Sequence, residues 1–142
     1  MRVALGSDEA SDLTRALAGD LAERGHDVVL VGALKDGDDD DWPTVGRRVG
    51  EAVAQGDCDC GIVCCWTGTG VSIAANKVSG VRAALCNDAV TAAGAREYND
   101  ANVLALSLRS TSIPVAKAML DAWFEGRPTQ DARYGAMIAQ LD

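Results

Sequence analysis

Cys60-Gly61-Ile62-Val63-Cys64-Cys65-Trp66-Thr67-Gly68-Thr69-Gly70-Val71-Ser72 is the stretch that decides the fold of this 142-residue chain. Its apolar first half reads as a buried strand over Cys60 to Cys65, and the glycines at 68 and 70 lead into a segment of helix-forming residues. A thiol therefore stands at a strand's end, beside a turn. Glycines let backbone N–H groups approach a ligand closely, and the helix start adds unpaired donors and the positive end of its dipole. That arrangement suits an anion, either a substrate phosphate or a negative charge that develops during reaction. Cys65 in such a field is a candidate base or nucleophile.

The same strand-then-helix rhythm extends in both directions. Arg2 to Gly6 reads as a strand, and Asp12 to Arg24 as a helix with Leu13, Ala16, Leu17 and Leu21 on one face and Gly25 as its stop. Asp27 to Val31 is a second strand, and Pro43 opens a helix running to about Gln55. After the central strand, a short helix ends near Gly80. Val81 to Cys86 is strand four, and Asn87 or Asp88 caps an alanine-rich helix to about Glu97. Asn102 to Leu106 is a fifth strand. Ser110 or Thr111 is expected to cap the next helix, with Pro114 in its first turn, and a last helix over about 128–141 carries Arg133, Tyr134, Met137, Ile138 and Leu141. Such alternation is the signature of an α/β protein with a parallel sheet covered on both faces. Ligands bind such sheets at the carboxyl ends of the strands, so the loops at Asp8, Trp42, Cys65, Asn87 and Ser107 are expected on one edge.

The length fits one domain spanning residues 1–142, with a core that needs no metal or disulfide. No apolar run approaches ~18 residues and no leader pattern opens the chain, so neither membrane nor secretion is expected. Four of the five cysteines crowd into eight positions, unlike a disulfide framework, which favours a reducing cytoplasm. A net charge of −8 argues against nucleic acid as a partner, while an anionic small molecule responds to the local field. The acidic run at Asp36 and Asp38 to Asp41 reads as a solvated turn, since calcium-loop spacing is missing.

Named readings of the glycine loop fail on spacing. A dinucleotide fingerprint needs a small residue where Ile73 stands, and a nucleotide-triphosphate loop needs a lysine that Gly70-Val71-Ser72 lacks. With His26 the only histidine, the Cys58-x-Cys60 pair has no partner ligands, and no metal is expected. Asp8 and Glu9, after the first strand, either cap the first helix or serve as a general acid or base or bind hydroxyls.

Gly6-x-Asp8, Asp41-Trp42-Pro43, Cys65-x-Thr67-Gly68-Thr69-Gly70-x-Ser72-Ile73-Ala74-Ala75-Asn76-Lys77, Arg82-Ala83, Arg96-Glu97-Tyr98-Asn99-Asp100-Ala101-Asn102-Val103-Leu104 and Arg109 together resemble the type B ribose-5-phosphate isomerase family, which includes galactose-6-phosphate isomerase subunits. The resemblance runs over nearly the whole chain. It implies a Rossmann-like α/β/α sandwich on a five-stranded parallel sheet, and a homodimer or homotetramer with active sites shared between subunits. It also implies aldose–ketose isomerisation of a sugar phosphate through an enediolate, without metal or organic cofactor. On this basis Cys65 matches the base, Thr67 the hydroxyl that assists proton movement, and Gly68, Thr69, Gly70, Val71 and Ser72 the backbone that holds the enediolate. Asp8 and Asn99 match hydroxyl contacts. Arg109 and Arg133 match phosphate-binding arginines, Arg133 coming from the neighbouring subunit together with the last helix.

The departures bear on substrate. Glu9 and Tyr98 stand where the family usually has histidines, the second being credited with opening the sugar ring. A tyrosine titrates near ~10 and is a poor proton shuttle at neutral pH. Tyr134 and Met137 replace a histidine and an arginine, and Trp66 replaces a glycine, either narrowing the pocket or packing between subunits. Ribose 5-phosphate to ribulose 5-phosphate is the default reaction. The alternatives are a four-carbon or non-phosphorylated sugar, and a sugar-binding subunit without catalysis.

Overall fold

The computed structural model describes residues 1–141. Among these residues strands and helices alternate until the last strand, which two helices follow: β1 (Arg2–Ser7), α1 (Asp12–Glu23), β2 (Asp27–Gly32), α2 (Trp42–Ala54), β3 (Cys60–Cys65), α3 (Thr69–Asn76), β4 (Ala83–Leu85), α4 (Ala89–Asn99), β5 (Val103–Ser107), α5 (Ile113–Glu125) and α6 (Ala132–Ile138). The five strands form one sheet in the order β2-β1-β3-β5-β4, and every ladder is parallel. Strand side chains alternate between faces, so the sheet divides the core in two. Val3, Leu5, Ile62, Cys64, Leu104 and Leu106 pack with Leu13, Leu17 and Leu21 of α1 and Met119, Leu120 and Trp123 of α5. Ala4, Val63, Cys65, Val103 and Ala105 pack on the other side with Val45 and Val49 of α2 and Val71 and Ala75 of α3. Cys64 and Cys65, adjacent in sequence, therefore serve opposite layers.

Local chemistry sets the element ends. Ser11 caps α1, its hydroxyl accepting from Thr14 N while the Thr14 hydroxyl accepts from Ser11 N at 2.9 Å. Capping is thus complete without Asp8. Asp41 caps α2 through Thr44 N at 2.7 Å, with Pro43 in the first turn. The acidic loop is more than a solvated turn: Asp38 accepts from Gly32 N at 2.9 Å and pairs with Arg48 of α2.

Three boundaries differ from expectation. Strand four shrinks to Ala83–Leu85 because asparagine amides take over the flanking backbone groups. Asn76 bonds both Ala83 N and Ala83 O, and Asn102 bonds Arg82 N and Gly80 O. The α5 cap is Ser112, whose Oγ accepts from Val115 N, because Ser110 and Thr111 still belong to a turn tied to Ser107. The last helix spans Ala132–Ile138 rather than about 128–141; Thr129 N donates to Glu97 O at 2.9 Å, docking the preceding segment on the end of α4.

Candidate active site

Asp8, Trp42, Cys65, Trp66, Thr67, Thr69 and Gly70 line one cleft of about 330 Å³ at the carboxyl ends of β1 and β3. Two larger grooves, about 420 Å³ each, lie elsewhere, between α2 and α3 and beside Asn99. Neither groove contains a thiol or an acid–base pair of this kind, so the smaller cleft is the chemical one.

The cleft is built by the strand–turn–helix unit at its centre. Cys65 ends β3 and is 5% exposed, and Gly68 caps α3 in the left-handed region at φ 77°. A β-carbon at Gly68 would also fall 2.8 Å from the Leu106 carbonyl carbon, so both torsion and space require glycine there. The first intrahelical bond of α3 is Ser72 N–H to Gly68 O at 3.2 Å. The N–H groups of Thr69, Gly70 and Val71 precede it and sit at the positive end of the helix dipole. Thr67 and Thr69 hydroxyls lie 2.8 Å apart, forming a pair of polar contacts at the rim.

Neighbouring loops fix this unit in place. Leu108 N donates to Cys65 O at 2.9 Å, and Trp66 O accepts from both Arg109 N at 2.9 Å and Ser107 Oγ at 2.9 Å. Ser7 Oγ bonds Glu9 O at 2.7 Å and Glu9 N at 3.3 Å, shaping the turn that presents Asp8. One carboxylate oxygen of Asp8, Oδ1, is buried without a hydrogen-bond partner. Burial pushes the Asp8 carboxyl above its ordinary range; its own backbone N–H opposes this, and the charges of Glu9 and Asp40 add to it. A buried, unpaired acceptor is costly and marks a place where a ligand donor fits. Cys64, by contrast, is fully buried, and desolvation pushes its thiol up to about 12.

The remaining expected site residues are not in this cleft within one chain. Glu9 is exposed just beyond it, Val71 is buried under α3 and Ser72 is partly buried on it. Arg109 is exposed on the β5–α5 loop, joined to the cleft through its backbone bond to Trp66. Tyr98 and Asn99 end α4, which returns antiparallel to the strands, so they stand at the amino edge of the sheet, opposite Cys65. Asn99 lines the second groove with Asn76 and Arg82, and Tyr98 packs against Tyr134 of α6 with ring centroids 5.0 Å apart and the rings tilted by 40°. Arg133 is held by Asp131 at 2.6 Å. Trp42, whose indole lies against Gly70, and Ser107 sit on loops expected at this edge, but neither was given a role in the site from sequence. A tryptophan just before the helix-opening Pro43 was the available signal for the first. Among the described residues no group of three or more His, Cys, Asp or Glu side chains is placed to hold a metal ion. No helix among them is long and apolar enough to cross a membrane.

The family described as Ribose/Galactose Isomerase matches residues 3–141. The chain belongs to that family. Ribose-5-phosphate isomerase B of Escherichia coli is 38% identical over 86% of this chain and 82% of its own length. D-erythrulose-4-phosphate isomerase of Pectobacterium atrosepticum is 35% identical, covering 88% of this chain and 83% of that protein. The solved structure of Clostridium thermocellum ribose-5-phosphate isomerase B superposes with a TM-score of 0.90 at 40% identity, covering 99% of this chain and 95% of that one. The sheet and helices of this ribose/galactose isomerase family member are thus those of its solved relatives, and the cleft at Cys65 is its candidate active site.

Proposed function

We propose that this sugar-phosphate isomerase interconverts an aldose phosphate and its ketose through an enediolate, with Cys65 as the base. The observation that carries the reading is the placement of the Cys65 thiol beside the unpaired N–H groups that open α3. In the aldose-to-ketose direction, Cys65 as thiolate takes the proton from C2, and the C2–H electron pair moves into a C1–C2 double bond as the C1 carbonyl oxygen becomes negative. The α3 donors stabilise that oxygen where charge develops. The thiol returns the proton to C1, while Thr67 helps pass the O2 proton to O1, leaving the C2 carbonyl. Asp8 accepts from a substrate hydroxyl, giving its unpartnered oxygen a donor.

The rest of the site comes from a second copy of the chain. Tyr98, Asn99 and Arg133 lie away from Cys65 in their own chain, and α6, with no buried residue, carries Met137 exposed and Leu141 just beyond it. Packing of α6 on a neighbour covers that apolar surface and brings these residues toward the other copy's cleft. Arg109 then supplies positive charge for the phosphate from the same loop that holds Trp66.

Ribose 5-phosphate is the first substrate to test, and a four-carbon phosphate is the second reading. Tyr98 favours the second, because a four-carbon aldose phosphorylated at its terminal oxygen has no ordinary ring to open. An NMR panel of four- to six-carbon aldoses, each with and without phosphate, tests the function. Turnover confined to phosphorylated sugars is expected; turnover of none contradicts the isomerase reading.

A further inference from the structure

We infer that Trp42 and Trp66 form two aromatic walls that limit the length of sugar phosphate the cleft accepts. The inference rests on the isomerase reading for which carbons react, and on the geometry alone for which ligands fit. Of the three tryptophans, Trp123 is in the core at 2% exposure, whereas Trp42 is 44% and Trp66 59% exposed, and both line the cleft. Large exposed indoles beside a thiol and an unpaired carboxylate oxygen are placed to meet the C–H surface of a ligand.

Each residue is held at the cleft by a different contact. Trp42 is held against α3, since a β-carbon on Gly70 would come within 2.9 Å of its six-membered ring. Trp66 is anchored by its own backbone carbonyl, which takes two hydrogen bonds from Ser107 and Arg109. Because Trp66 follows Cys65 directly, with α-carbons about 3.8 Å apart, its indole begins one residue from the reacting carbons. The rest of the sugar must pass it to reach the Arg109 loop. Each added carbon then meets indole rather than open cleft, and hydrophobic walls of this kind discriminate by roughly 10- to 200-fold per carbon.

The test compares wild type, Trp66→Ala, Trp66→Phe and Trp42→Phe on four-, five- and six-carbon aldose phosphates, following kcat/KM and the oligomeric state. Trp66→Ala is expected to raise the six-carbon to four-carbon ratio of kcat/KM at least about tenfold, with Trp66→Phe between it and wild type. Trp42→Phe, which keeps an aromatic wall, should change the ratio least. A ratio within twofold of wild type in Trp66→Ala overturns the inference, as does a change explained by dissociation of the assembly. Binding of four- and six-carbon sugar-alcohol phosphates, which cannot isomerise, is read from quenching of the exposed indoles. Preference for the shorter alcohol, lost in Trp66→Ala, supports the inference even if no aldose is turned over; equal binding in the wild type overturns it whatever the catalytic result.

Discussion

The hydroxyl of Ser107 donates to the carbonyl of Trp66 at 2.9 Å, and the same oxygen accepts from Ser110 N at 3.2 Å. Ser107 thus joins the end of β5 to the residue after Cys65 and to the loop that carries Arg109. Ser107→Ala removes both bonds in a site that is only 8% exposed. The expected cost is about 1 kcal/mol of stability per lost bond, with kcat/KM reduced several-fold as Trp66 and Arg109 lose their fixed relation. Thermal unfolding and steady-state kinetics check both.

Gly68→Ala strikes the turn itself. Position 68 needs φ 77°, and its new methyl would meet Leu106 backbone atoms at 2.8 and 2.9 Å. A loss of roughly 1–3 kcal/mol from torsion alone is expected, together with displacement of the α3 donors and near-complete loss of turnover. Denaturant unfolding and single-turnover rates separate the two effects.

Asp8→Asn is expected to trade activity against stability. The folded-state pKa of Asp8 is raised, chiefly by burial, so the folded chain holds that proton more tightly than the unfolded chain. Its contribution is greatest below the ordinary value of 3.8 and is lost as pH rises through the raised value. The asparagine variant lacks this loss, so its stability relative to wild type should increase with pH across that window and stay at least equal at pH 7, while kcat/KM falls. Melting curves at a series of pH values provide the check.

Asp38→Asn behaves in the opposite sense. Its hydrogen bond with Arg48 holds the Asp38 carboxyl below 3.8, so the wild-type contribution is present above that pH and disappears as acid protonates the folded-state group. The variant should be less stable than wild type at pH 7 and converge with it on the acid side. A constant difference at all pH values would contradict the Asp38–Arg48 assignment.

Much of this molecule was legible in its sequence because the decisive signals were local. Short apolar runs set between polar or glycine-containing turns marked all five strands, and Gly25, Pro43 and Pro114 marked helix ends through effects internal to a few residues. The shortening of β4 was not local: it depends on Asn76 and Asn102 reaching backbone groups from other elements. The cap at Ser112 was hidden for the same reason, since Ser107 holds the two residues read as caps. In the site, the thiol and glycine loop stood out by pattern, but Trp42 reaches Gly70 only once α2 packs on α3. The acidic loop looked uniform in sequence, and only the fold distinguishes Asp38, paired with Arg48, from Asp41, the cap of α2.

The most direct test of the account is solvent-deuterium incorporation at C1 or C2 of the isomerised sugar phosphate by wild type, Cys65→Ala and Cys64→Ala. The account predicts incorporation by wild type and by Cys64→Ala, whose altered residue faces the opposite layer, and a loss of about 10²- to 10⁴-fold or more in Cys65→Ala. Exchange by Cys65→Ala at the wild-type rate would contradict it.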